Sequence, residues 1–337
     1  MKKEACVTRT HIGGQALIEG VMMKGKRGYA VALRMPDGHI RVTTHPLKSA
    51  RDKYKFLGWP VIRGVVNFIE MLAVGMKTIT YSADALDLEE EEPSKFERWL
   101  EEKLGTKATA LVTFVGIALG LLLAVGLFIY LPAAAVKGLC AVSSWEPVLW
   151  LRNLLEGLVK IGIFVGYVAV VSAMKDIRRT FEYHGAEHKS IHCFENGLPL
   201  TPENAQTFRV MHPRCGTNFM FIVMLVGILV TSVLQISWGS LLIRSLLKLL
   251  TLPLIMGISY ELLRLAGRYN NVLTRLFSLP GMLMQRLTAR TPDHAQLEVA
   301  IAALNACLEL ENGAPFRPEE ICKEEKAAEE TAQEVHE

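Results

Sequence analysis

His184, Glu187 and His188 stand in an H-x-x-E-H arrangement inside the run Tyr183-His184-Gly185-Ala186-Glu187-His188-Lys189-Ser190-Ile191-His192-Cys193-Phe194-Glu195. Residues four apart share one face of a helix, so the two imidazoles can reach a common ion. The carboxylate between them can accept a proton from a water that the ion has acidified. The chemistry this spacing suggests is metal-assisted hydrolysis, with His184 and His188 as ligands and Glu187 as general base.

The pattern is that of the inverted zincins. His192 continues the spacing, but it would lie about 12 Å along the axis from His184. One ion cannot be held by all three histidines on a straight helix, so a third ligand must come from elsewhere. The candidates are Cys193, the pair His212 and Cys215 in His212-Pro213-Arg214-Cys215-Gly216, and the acids Glu298 and Glu19. Zinc or another divalent transition metal accepts mixed nitrogen, sulfur and carboxylate donors, and chemistry does not choose among them. Four of the nine histidines and two of the six cysteines fall between Tyr183 and Gly216, which makes this stretch the chemical centre of the chain. Cys6, Cys140, Cys307 and Cys322 read as inert thiols, since the six cysteines show no paired spacing of a secreted disulfide framework. Met22 and Met23 read as packing residues.

The elements that must position this stretch are largely apolar. Half of the 337 residues are hydrophobic and they are bunched, which points to a bilayer. Four segments approach the length of a membrane span: 108–131, 157–174, 217–235 and, interrupted by Arg244, Lys248 and Pro253, 241–263. Lys and Arg concentrate before the first segment, between 175 and 216, and after the fourth, whereas the 132–150 connection holds only Lys137. The positive-inside rule then predicts four spans, with both termini and the 175–216 island on the cytoplasmic side.

Outside the spans, residues 1–58 predict a small cytoplasmic unit with a β-hairpin: Tyr29–Arg34 and His39–Thr44 flank the turn Pro36-Asp37-Gly38. The glycine-rich run Gly13–Gly25 lacks the Lys-Ser/Thr ending of a phosphate loop, which argues against nucleotide binding. In 59–83, Arg63, Asn67, Glu70 and Lys77 fall on one helical face, predicting an amphipathic interfacial helix. An acidic linker follows at 84–107. The 108–263 membrane region is succeeded by cytoplasmic helices in 264–311, the last capped at Thr291-Pro292-Asp293, and by a charged tail, 312–337, that predicts disorder. The fold class expected is thus a mainly α membrane protein.

A net charge of +3 is too small to argue for direct nucleic-acid binding. Residues 1–83, however, hold 14 bases against 5 acids, a surplus that suits anionic lipid or a membrane-protein partner as well as the bilayer itself. Transport fits less well, because the spans carry few ionisable residues at mid-depth and no internal repeat. The alternative to an enzyme is a non-enzymatic membrane scaffold or assembly factor whose His/Cys island is structural.

Three motifs in order carry a resemblance: Gly13-Gly14-Gln15-Ala16 with Ile18-Glu19-Gly20-Val21-Met22-Met23, Tyr183-His184-Gly185-Ala186-Glu187-His188-Lys189 with Ile191-His192-Cys193, and His212-Pro213-Arg214-Cys215-Gly216. They are similar to those of the bacterial YqhQ-like family, over nearly the whole chain apart from the tail. The resemblance implies a multi-pass membrane protein, and members of the family are described as metal-dependent enzymes. Near Glu298 the family tends to carry a second acid after Pro-Asp where this chain has His294, which favours Glu298 over His294 as a ligand.

Overall fold

The computed structural model describes residues 10–86, 107–213, 215–233, 241–268 and 272–313. Most of the predicted acidic linker, the tail from 314, Arg214, Cys6 and Cys322 lie outside the described residues. The chain divides into two compact units, one drawn from Met1–Leu86, Ala169–Ile222 and Gly257–Glu337, the other from Asp87–Val168 and Val223–Met256.

The first unit contains a four-stranded antiparallel meander, β1 (Gly13–Leu17), β2 (Gly20–Lys24), β3 (Gly28–Arg34) and β4 (Ile40–Pro46). The β3–β4 hairpin includes the expected pair. Its turn closes with Met35 N–H donating to His39 O at 2.9 Å, and Gly38 takes the positive φ of 90° that the tight return requires. The glycine-rich run before it forms β1 and β2, joined at Ile18 and Glu19 with Leu17 opposite Gly20. The alternating side chains of the sheet serve two cores. Val21, Met23, Ala30 and Ala32 pack with Ile191, Leu297, Ala300 and Leu304. Leu17, Met22, Val31 and Leu33 pack with Val74 on the other face. With both faces covered, β3 is buried at nearly every position.

Helix α1 (Ala50–Lys53) and a 3₁₀ turn (Lys55–Gly58) lead into α2 (Ile62–Ala85). Two members of the polar stripe of α2, Arg63 and Glu70, are engaged within the protein, and Lys77 is exposed. Arg63 Nε donates to Glu261 Oε1 at 2.6 Å, and Glu70 accepts from the Ser49 hydroxyl at 2.8 Å and the Ala50 amide at 2.9 Å. Ile69, Leu72 and Met76 are among its exposed side chains.

Helices α3 (Lys107–Val125) and α4 (Leu131–Ser143) are continuous through a π-helical turn, Gly126–Tyr130, and α5 (Leu149–Val171) follows. Helix α6 (Lys175–Glu195), the short α7 (Pro202–Gln206) and α8 (Gly216–Val233) come next, then α9 (Leu241–Arg268), α10 (Val272–Thr288) and α11 (His294–Asn312). Among the described residues three helical stretches are long and apolar enough to cross a membrane: Ala118–Ser143, Leu149–Val171 and Gly216–Val233, of 26, 23 and 18 residues. The expected fourth segment is helical over the 28 residues of α9, with Pro253 inside it. Helix α11 begins at a capping box in which Asp293 and Gln296 exchange hydrogen bonds, and ends at Gly313 in the left-handed conformation.

The 175–216 stretch contains the helix that the histidine spacing needs: α6 packs with the sheet and α11, α7 packs with α6 and α11, and Tyr183 and Gly185–Ile191 are all buried.

Candidate metal centre

A buried helix face made of His184, Glu187, His188 and His192 needs partners for every polar atom. His184 places Nδ1 2.6 Å from the carbonyl oxygen of Thr288, the last residue of α10. His188 places Nδ1 on the carbonyl oxygen of Val210, in the loop before α8. A carbonyl only accepts, so both Nδ1 atoms carry the proton and both Nε2 atoms keep a lone pair. The Nε2 of His184 lies 3.1 Å from Cys215 Sγ. The Nε2 of His188 is buried, with the Cys215 thiol as its polar neighbour. Left unsatisfied, such an atom costs about 1–3 kcal/mol. Donor atoms of His184, His188 and Cys215 all lie within 4.8 Å of one another, a group that could hold a metal ion. The two rings meet edge to face with centroids 4.4 Å apart.

Cys215 stands just before the N-terminus of α8, where amide dipoles favour an anion. Burial pushes its thiol up. The imidazole of His188 and the hydroxyl and amide of Thr217, 3.3 and 3.5 Å from Sγ, outweigh that, and the net shift is below the ordinary thiol value. Burial pushes the His188 imidazole down to about 4, with the neighbouring His184 acting in the same direction, so it is a neutral donor at physiological pH. The structure therefore supplies two imidazoles, each with Nδ1 engaged on a backbone carbonyl, and an acidified thiol, which is a donor set suited to zinc.

Glu187 lies beside this group. Its Oε1 accepts the amide proton of Gly14 in β1 at 3.0 Å. Burial, opposed by His184 and reinforced by Cys215, raises its carboxyl to about 7. Gly14 permits the approach, because a Cβ there would fall 2.8 Å from the Glu187 side chain and 2.7 Å from Met22 O.

Of the predicted ligands, then, His184, His188 and Cys215 come together. His212 does not join them. It groups with His192 and Glu195 instead, although its ring centroid is only 5.5 Å from that of His188. Glu298 is also elsewhere. It is half exposed on α11 and pairs with Arg34 at 2.7 Å, because the buried stripe of that helix is taken by Leu297, Ala300, Leu304 and Cys307. His294, 4.0 Å from Glu203, is similarly exposed. Glu19 is held by Arg179 at 2.6 Å and by the Tyr183 hydroxyl at 3.1 Å. Cys193 faces Pro199 O at 3.4 Å, and burial pushes its thiol up to about 11.

Gln285 in α10 is a positioning residue that the sequence does not announce. Its amide forms a reciprocal pair with the backbone of His212, accepting from N–H at 2.7 Å and donating to C=O at 2.8 Å, and it is fully buried. Gln285→Leu strands both backbone groups. The expected loss is about 2–4 kcal/mol, read as a lower melting temperature of the detergent-purified protein; an unchanged melt would refute the clamp.

The uncharacterized protein YqhQ of Bacillus subtilis (strain 168) is 34% identical over 306 residues, covering 89% of this chain and 92% of its own. No solved structure matches the chain. A family model described as protein of unknown function, DUF1385, matches residues 59–310, and the chain belongs to that family.

Proposed function

We propose that the chain is an integral protein of the bacterial cytoplasmic membrane that uses a divalent metal, zinc by donor set, to hydrolyse an amide or ester bond presented at the cytoplasmic membrane surface. The observation that carries this reading is the convergence of His184, His188 and Cys215 beside a carboxyl held near neutrality. Three protein ligands leave one tetrahedral position for chemistry. When bound, the ion supplies Lewis-acid activation of water and of the substrate carbonyl. The protein groups do the rest. Thr288 and Val210 carbonyls hold the imidazoles in the tautomer that would leave each Nε2 to bind a metal. The Gly14 amide fixes one oxygen of Glu187 and leaves the other to accept a proton as general base and return it to the leaving group.

In this reading α9 is a fourth span, so the number of spans is even and both termini share the cytoplasmic side with the basic segments. Reporter fusions test the topology. One that works only outside the cytoplasm should be active after Ser144 and silent after Leu200, and the reverse pattern would discard it.

Metal analysis tests the centre. The purified protein should carry a transition metal that falls sharply in His184→Ala and Cys215→Ser, while a chelator abolishes hydrolysis of acyl-chain-bearing chromogenic esters and amides. Equal, near-zero metal in all three proteins would end the proposal.

The burial of His188 and Cys215 favours a second reading, in which the same site is a closed structural clamp. The protein would then be a non-enzymatic scaffold or assembly factor whose basic N-terminal residues meet anionic lipid or a membrane-protein partner. A stoichiometric partner in mild-detergent purification, with no hydrolysis detected, would favour it.

A further inference from the structure

Beyond the centre described above, α6 continues its polar face for nearly two more turns. His192 and Glu195 follow His188 at intervals of four and three residues, and His212 comes back over them from the loop before α8. We infer that His192, Glu195 and His212 form a second metal site, taking a divalent transition ion through two imidazoles and a carboxylate.

The geometry repeats the logic of the first triad. His192 Nε2 faces the carbonyl oxygen of Met211 at 3.0 Å, so that nitrogen carries the proton and Nδ1 keeps the lone pair. Glu195 has Oε1 fixed by the amide of Thr10 at 3.0 Å, while Oε2 lies 3.7 Å from His212 Nε2. That separation is too long for a hydrogen bond. It is close to the roughly 3.4 Å that two donors adopt when each binds one tetrahedral ion at about 2.0–2.1 Å. Donor atoms of all three residues lie within 4.8 Å of one another, and Glu195 and His212 are buried. The His192 and His212 rings are 4.6 Å apart by centroid. Gln285, by holding the His212 backbone on both sides, is the positioning residue of this second site.

The two sets differ in hardness. The first includes a thiolate and the second is nitrogen and oxygen only, so one spectroscopic probe can tell them apart. Cobalt(II) bound to a cysteine thiolate gives a near-ultraviolet charge-transfer band, and cobalt(II) on histidine and carboxylate does not.

The test is stoichiometric titration of the full-length, metal-stripped protein in detergent with cobalt(II), followed by metal analysis after desalting. Wild type should bind two equivalents. Glu195→Gln and His192→Gln should each fall to one while keeping the band. Cys215→Ser should lose the band and keep one equivalent. Two variants on the second triad guard against either one failing to fold, and circular dichroism and monodispersity report that directly. One equivalent in wild type, with a Cys215-dependent band, would overturn the second site and leave the proposed centre standing. No cobalt bound would overturn both. Two equivalents undiminished in Glu195→Gln would likewise discard the assignment.

Discussion

Gly185→Ala is expected to destabilise the protein by at least about 3 kcal/mol, at or above the upper end of ordinary overpacking, and to release the metal centre with it. A Cβ at this position would sit 1.8 Å from the carbonyl oxygen of Arg290 and 3.0 Å from its carbon. The obstacle is backbone, so no rotamer change relieves it. Nor can the Arg290 segment simply withdraw. Its amide donates to Phe181 O at 2.9 Å, which ties the chain after α10 to α6. Thr288, two residues earlier, supplies the carbonyl that orients His184. Any retreat wide enough for a methyl group pulls on both. Gly162→Ala is the control, because a Cβ there meets nothing within 4 Å and alanine is the better helix former. Thermal unfolding of the two purified variants should show a large drop for the first and little change or a slight gain for the second. Equal melting of Gly185→Ala and wild type would show that the helix does not lie on that carbonyl.

The contrast between these glycines shows what the sequence could reveal. Gly185 stands inside the H-x-x-E-H run and looks like a weak point in a helix until Arg290, more than a hundred residues later, is laid against it. Local patterns encode local geometry well. The four-residue spacing of His184 and His188 and the turn at Pro36-Asp37-Gly38 follow from short-range rules, and Thr291-Pro292-Asp293 marks a helix start whose cap is Asp293, with Pro292 before the helix. The walls of the site do not. Gly14 reaches Glu187 across 173 residues, Thr10 reaches Glu195 across 185, and Gln285 reaches His212 across 73. Nothing in the composition of those segments marks them as partners.

Two readings of individual residues illustrate the limit further. The rise of a helix rightly separates His192 from an ion on His184, yet the same arithmetic extended to Glu195 exposes a continuous stripe at intervals of four, four and three. That stripe was the available signal for a second triad. Glu298, by contrast, had only a neighbouring motif in its favour. Its helix spends the inward face on the sheet, and the acid is left at the rim with Arg34.

Glu187→Gln decides between a catalytic and a structural centre, because it removes a proton acceptor while preserving shape. The amide oxygen of glutamine can still accept the Gly14 N–H, and none of the three metal donors is touched. If Glu187 is the base, metal content should remain at the wild-type level while turnover falls about 10²–10⁴-fold. Stability moves the other way. In the metal-free protein the Glu187 carboxyl rises from an ordinary 4.5 to about 7, so the native state binds the proton more tightly than the unfolded chain does. The stabilisation from that proton is fully present below pH 4.5 and is lost as pH rises through about 7, a change of roughly 3 kcal/mol. Glutamine never ionises and escapes the loss. The metal-free variant should therefore melt above wild type at pH 8, with the margin shrinking as the pH is lowered toward 5. A carboxylate that burdens the fold at neutral pH yet is indispensable for turnover is behaving as a base; full turnover in Glu187→Gln would remove Glu187 from that role, and metal retained with no turnover in either protein would leave the site a structural clamp.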